Sequence, residues 1–305
     1  MTGLLLLLAL GLVICWTLVV AYTLWGLVHP PRKTYASALR RGIPGEPGEL
    51  DEPREFEEWS FNSRGNTLTA WDIAGDNPPG PVCVFTHGWG NAKLDALVRL
   101  DPFVKHCSRI VAWDMPGHGE SEGRSDLGVG EVDDLVALVD KIAPDAPIIL
   151  FGWSLGSGVS IAAATKLEDK VRALVAEAPY RYAYTPAKNV VSQSAQPWRT
   201  TLRPGFAFMG LLRKRSPLWA GKWPQFDRAE FAKSLTCPLL VIHGSDDTVS
   251  PFTDGQEIAQ AAPNSKLHTI KDGSHNTLWI EESWRESASE AVDSFLSGVL
   301  AEGSA

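Results

Sequence analysis

The chain has 305 residues, of which 44% are hydrophobic and 21% charged, and its formal net charge is −8. This composition excludes general disorder, and the acidic balance excludes nucleic acid as the main partner. Four cysteines (Cys15, Cys83, Cys107, Cys237) are scattered without CxxC or metal-site spacing, so they read as free thiols, which suits a reducing compartment.

No charged residue occurs from Leu4 to Val28, a run long enough to cross about 30 Å of hydrocarbon at 1.5 Å per residue. Trp16, Tyr22 and Trp25 are suited to an interface, and His29-Pro30-Pro31 ends the run. A cleaved signal peptide is the alternative, but nothing basic precedes Arg32, the apolar run is too long, and no small-residue cleavage site stands out. Residues 1–29 are therefore expected to be an uncleaved transmembrane anchor. Arg32, Lys33, Arg40 and Arg41 follow it, which by the positive-inside rule places the catalytic part in the cytoplasm of a single-pass membrane protein. Residues 30–55, rich in Pro, Gly and charge, read as a linker with little structure of its own.

Beyond the linker, Phe56–Phe61 and Thr67–Ile73 form a predicted strand pair around the turn signal Ser63-Arg64-Gly65-Asn66. Buried-type strands follow at Val82–Thr86, Ile110–Asp114, Ile148–Phe151, Ala173–Glu177 and Leu239–His243, with a last one near 266–271. Helical patterns lie between and after them at Leu94–Val104, Val132–Ile142, Leu155–Lys166, Phe226–Ser234, Gln256–Ala261 and Trp284–Leu300. The alternation predicts a mostly parallel sheet with helices on both faces, an α/β class. The core is assigned to residues 56–180 and 234–300. Residues 181–233 interrupt the alternation and read as a helical lid, since long insertions at the ligand end of a sheet are usually functional.

Gly152-Trp153-Ser154-Leu155-Gly156 stands where a strand turns into a helix. A nucleophilic serine must project from such a sharp turn, and a side chain at either flanking glycine would collide there. The helix it opens offers amides to developing negative charge. His87-Gly88-Trp89-Gly90 follows an earlier strand and could supply the second oxyanion amide, so the amides of Trp89 and Leu155 are the expected donors, with His87 tying the loop.

These motifs, together with Asp114-Met115-Pro116-Gly117-His118-Gly119-Glu120-Ser121, Glu177-Ala178-Pro179-Tyr180, His243-Gly244-Ser245-Asp246-Asp247 and Gly273-Ser274-His275-Asn276, occur in one order. In that order the chain, from about Phe56 to Leu300, resembles the α/β-hydrolases near the serine aminopeptidase and monoacylglycerol-lipase-like branch. The resemblance implies a catalytic triad of Ser154, Asp247 and His275. The chemistry agrees: an inert serine needs a base, and histidine suits neutral pH. A carboxylate must orient the imidazole, and the order Ser, Asp, His is the one this fold uses. His118 is the rival histidine, expected in a structural role; Asp246 is a rival acid, expected as a solvent or loop partner, and Glu177, ending another strand, is a weaker substitute for Asp247.

The lid carries ten Lys/Arg against two acidic residues (Asp227, Glu230), a balance of +8 that leaves −16 for the rest, and aromatic residues are interleaved with the bases. That composition suits contact with anionic lipid, Arg213, Lys214 and Arg215 included, or equally a solvated lid whose aromatics line the acyl pocket. The expected activity is hydrolysis of a carboxylic ester or thioester of a lipid-like acyl substrate. A peptidase for small N-terminal residues would need a carboxylate pair in the lid, and a catalytically inactive membrane-tethered binding module is the third possibility. No metal constellation or phosphate-binding glycine loop is evident, so no cofactor is expected.

Overall fold

The computed structural model describes residues 1–143, 146–193 and 197–302. The uncharged opening segment closes its backbone bonds internally, except at its two ends, as α1 (Thr2–Val28), 27 residues and about 40 Å long. It is long and apolar enough to cross a membrane. Its first half is bare, whereas Val20, Thr23 and Leu27 are buried against the rest of the chain.

The segment expected to be a plain linker is strapped to the domain. It forms a short helix, α2 (Tyr35–Leu39), where Ser37 Oγ accepts from the Thr34 amide and donates to the Thr34 carbonyl. Arg32 donates to the carbonyls of Gly119 and Ser121, and Lys33 pairs with Asp95 at 2.7 Å. Arg32 and Lys33, read from the sequence as positive charge flanking the apolar run, thus have specific partners on the domain.

Eight strands form one sheet: β1 (Phe56–Ser63), β2 (Asn66–Ala74), β3 (Val82–Thr86), β4 (Arg109–Trp113), β5 (Ile148–Trp153), β6 (Val171–Glu177), β7 (Leu239–Gly244) and β8 (Ser265–Ile270), in the order β1-β2-β4-β3-β5-β6-β7-β8. The β1–β2 hairpin turns through Arg64 and Gly65, both left-handed, as a twist-matched two-residue turn requires. β2 is antiparallel to β4, and from β4 to β8 every pairing is parallel. The central strands β3, β5 and β7 are buried throughout, which is why they read as unbroken apolar runs.

The predicted helix at Leu94–Val104 is instead a 3₁₀ stretch, Lys93–Arg99, followed by the short α3 (Asp101–Val104). Pro102 cannot continue a preceding helix, so the apolar spacing is split between two elements. α4 (Glu131–Ile142), α5 (Leu155–Leu167), α6 (Tyr184–Ser192), α7 (Trp198–Leu212), α8 (Arg228–Ala232), α9 (Phe252–Ala261) and α10 (Glu282–Glu302) complete the chain. α4, α5 and the lid helices pack on one face of the sheet and α3 with α10 on the other.

The lid lies against α1. Pro204 inside α7 has no amide to give to the Thr200 carbonyl one turn earlier, and the Trp16 indole fills that place at 3.2 Å. Thr23 Oγ1 meets Thr201 Oγ1 at 3.4 Å. A Cβ at Gly205 would lie 3.3 Å from Leu24, so α1 and α7 approach closely over small residues spaced four apart.

Candidate active site

The strand-to-helix turn between β5 and α5 holds Ser154 at φ +53°, ψ −111°, a strained conformation for a side-chain-bearing residue. Its amide donates to the Glu177 carbonyl at 2.8 Å, which fixes the turn to β6. A Cβ on Gly152 would collide with the Gly156 carbonyl, and one on Gly156 with the Thr86 carbonyl. Both glycines are therefore sterically obligatory.

His275 follows β8 and Asp247 follows β7, and the structure brings both to Ser154. The Ser154 hydroxyl lies 2.9 Å from His275 Nε2, and His275 Nδ1 lies 2.7 Å from Asp247 Oδ2. Donation from Nδ1 to the carboxylate leaves Nε2 as the acceptor of the serine proton. All three residues are buried. The other oxygen of Asp247 accepts the amides of Val249 and Ser250 at 2.8 Å each. Burial acts to raise the Asp247 pKa, but hydrogen bonds from His243 and His275, with their charge, outweigh it and hold it at about 2. The acid is thus ionised throughout the physiological range.

The rivals are occupied elsewhere. Glu177 receives Arg99 through both carboxylate oxygens at 2.8 Å and the Trp279 indole at 2.7 Å. Asp246 is exposed, its carboxylate accepting the neighbouring Ser245 hydroxyl and its amide donating to the Gly273 carbonyl. His118 is fully buried, donates to the Pro116 carbonyl and packs against His87 with ring centroids 4.9 Å apart. His87 bridges its loop, giving a hydrogen bond to the Gly88 carbonyl and accepting the Met115 amide. Burial pushes the pKa of His87 down to about 4 and that of His118 down to about 3, so both are neutral at pH 7.

The His87–Gly90 loop leans on the nucleophile: a Cβ at Gly88 would lie 3.4 Å from Ser154 Cβ. Leu155 opens α5, so its amide is one of the first-turn donors with no intrahelical acceptor. Two groups escaped the sequence reading. His243, four residues before Asp247, reaches the acid's Oδ2 at 3.4 Å and the Ser250 carbonyl at 3.0 Å. Trp89 gives its indole N–H to the Leu27 carbonyl at 2.9 Å. The first was legible as the opening residue of the acid motif, whereas nothing local signals the second. A cavity of about 320 Å³ flanks β1 and β2, but it holds none of the triad, and its Lys93 is already paired with Asp114 and Glu120.

The lid's positive charge is partly spent inside the protein, which corrects the picture drawn from composition. Arg215 is buried on Asp126 at 2.7 Å, and Arg213 shares the same carboxylate at 3.1 Å. Arg228 is fully buried, donating to the Gly128 carbonyl and lying 4.0 Å over the Phe226 ring. Arg181 pairs with Asp227. Lys188, Arg199, Arg203, Lys214, Lys222 and Lys233 remain exposed, the last paired with Glu230, as do the apolar Phe208, Leu211, Leu212, Leu218 and Trp219.

A model of the alpha/beta hydrolase family matches residues 83–291. Human protein ABHD12B is 30% identical over 209 residues, 64% of this chain and 53% of its own. The lysophosphatidylserine lipase ABHD12 of Danio rerio is 29% identical over 197 residues, 61% of this chain and 48% of its own. The pimeloyl (acyl-carrier protein) methyl ester esterase of Chromobacterium violaceum is 27% identical over 228 residues, covering 64% of this chain and 87% of that one. The chain thus spans about half the length of the ABHD12-type relatives. An esterase of Pyrococcus furiosus superposes with a TM-score of 0.65 at 20% identity, over 89% of this chain and 97% of its own, a likeness of fold.

Proposed function

This chain belongs to the alpha/beta hydrolase family, and from that premise we propose that it is a membrane-anchored serine hydrolase cleaving a carboxylic ester or thioester of a lipid-like acyl substrate. The observation that carries this reading is the unbroken chain of two short hydrogen bonds, Ser154 to His275 to Asp247, at 2.9 and 2.7 Å.

Ser154 Oγ attacks the acyl carbonyl as His275 Nε2 takes its proton, and Asp247 stabilises the imidazolium. The amides of Trp89 and Leu155 receive the oxyanion, an interaction typically worth about 3–4 kcal/mol of barrier per donor. Collapse expels the alcohol or thiol, which leaves with the proton from His275. Water, deprotonated by the same nitrogen, then releases the acid and restores Ser154.

Several features favour an amphiphilic substrate: the apolar α1, the exposed apolar and basic face of α7, and relatives that include a lysophosphatidylserine lipase. The bases following α1 favour, by the positive-inside rule, a catalytic domain on the cytoplasmic side. Against the peptidase reading, Asp227 is buried and bonded to Arg181 and Tyr182, and Glu230 pairs with Lys233, so no carboxylate pair waits for an α-ammonium.

The test is fluorophosphonate labelling of the intact protein and of Ser154→Ala, followed by esters of rising chain length. Labelling lost in Ser154→Ala, with turnover of lysophospholipid or monoacylglycerol micelles, supports the proposal. A folded wild type that does not label, even on vesicles, replaces it with the inactive binding module.

A further inference from the structure

The end of α1 is part of the active-site framework. A helix leaves its last carbonyls without internal donors, and here the catalytic domain supplies them: the Trp89 indole to Leu27 at 2.9 Å and the Ser125 amide to Val28 at 2.9 Å. Pro31, just past the helix, lies 3.2 Å from where a Cβ on Gly90 would stand. Asn91 holds the same turn from within, its side chain donating to the Trp89 carbonyl at 3.2 Å and its amide to the Gly88 carbonyl at 3.2 Å. On its other side the turn rests on Ser154 through Gly88. The backbone of Trp89 is thus clamped between the last turn of α1 and the nucleophile.

We infer that the Trp89 indole is a positioning group through which α1 sets the place of the Trp89 amide over Ser154. The inference rests on the reading above in which that amide receives the oxyanion. A preorganised donor stabilises charge only where its position is fixed beforehand. Here one fixing point is a carbonyl of the apolar helix itself, so the anchor also acts on the rate.

The experiment uses the full chain in nanodiscs and a short soluble p-nitrophenyl ester, which needs no access through lipid. Trp89→Phe keeps the amide and an aromatic ring but loses the N–H. Gly205→Leu, on α7, pushes Leu24 and with it α1 out of register without touching the site. Each is expected to lower kcat about tenfold, less than the roughly 10²–10³-fold of losing a donor outright, with KM within twofold and cooperative melting retained. The double variant is expected to lose no more than the worse single, because both break one connection. Wild-type kcat in Trp89→Phe, or losses that multiply in the double variant, overturns the inference. A wild type inert to both ester and fluorophosphonate removes the hydrolase reading and this inference with it, whereas full labelling with unchanged variants removes this inference alone.

Discussion

Arg215 in the lid and Asp126 in the core form an ion pair at 2.7 Å, with the arginine 6% exposed and stacked 4.6 Å over Trp223. The pair ties the 181–233 segment to the core of the domain. Removing one partner of a buried pair leaves the other charge desolvated, so Arg215→Met is expected to cost on the order of 3 kcal/mol. Thermal denaturation reads the loss. Because the guanidinium is buried, flotation with anionic vesicles is expected to be unchanged.

The choice of acid separates two adjacent aspartates. Asp247→Asn leaves an amide beside His275 and takes away the charge that stabilises the imidazolium, so kcat on a soluble ester is expected to fall roughly 10⁴-fold. Asp246→Asn, at an exposed position, is expected to stay within about twofold of wild type. Equal losses in both variants would require another acid.

Acid stability is expected to fail in two windows. His87 accepts the Met115 amide and so must be neutral in the fold, and burial holds its pKa near 4 against an ordinary 6.5. Between those values the unfolded chain binds a proton that the folded chain refuses, so stability present above pH 6.5 is lost as pH falls toward 4, about 3 kcal/mol for such a displacement. His118 adds to the same slope. Asp247, held at about 2 against 3.8, loses its contribution only below pH 4. Melting of His87→Gln from pH 7 to pH 4.5 is expected to show a flatter decline than wild type.

The exposed lid face is expected to matter only where substrate is in lipid. Leu211→Asn with Leu212→Asn removes two large apolar side chains that are 63% and 65% exposed, without disturbing the core. Turnover of a vesicle-borne ester is expected to drop at least about fivefold, given roughly 1.5–3 kcal/mol per buried leucine, while turnover of the soluble ester stays level. An equal drop on both substrates would assign the pair to lid packing.

The sheet was legible because β3, β5 and β7 are buried on both faces and must be apolar throughout. The Ser154 turn was equally legible, because only glycine fits at 152 and 156. Both signals are local in sequence. The pairing of Arg32 with the Gly119 and Ser121 carbonyls, of Arg215 with Asp126, and of Trp89 with Leu27 joins residues 62 to 89 positions apart and leaves no periodic trace. Counting lid bases therefore gave the right sign but overstated the charge that reaches the surface. The 3₁₀ stretch at Lys93–Arg99 was missed because its apolar spacing fits a helix and only Pro102 marks the division.

The contact of Trp16 with Thr200 also sets a depth. Trp16 stands about 18 Å from Val28 along the helix axis, at 1.5 Å per residue, so the part of α1 free of the lid measures only about 21 Å. Hydrocarbon is about 30 Å thick. If α1 crosses a bilayer, the Thr200 end of α7 must go down with it, below the level of the headgroups. An ester lying in the leaflet would then meet the lid sideways, at the depth of its own carbonyl, and could be drawn toward Ser154 without first being lifted into water.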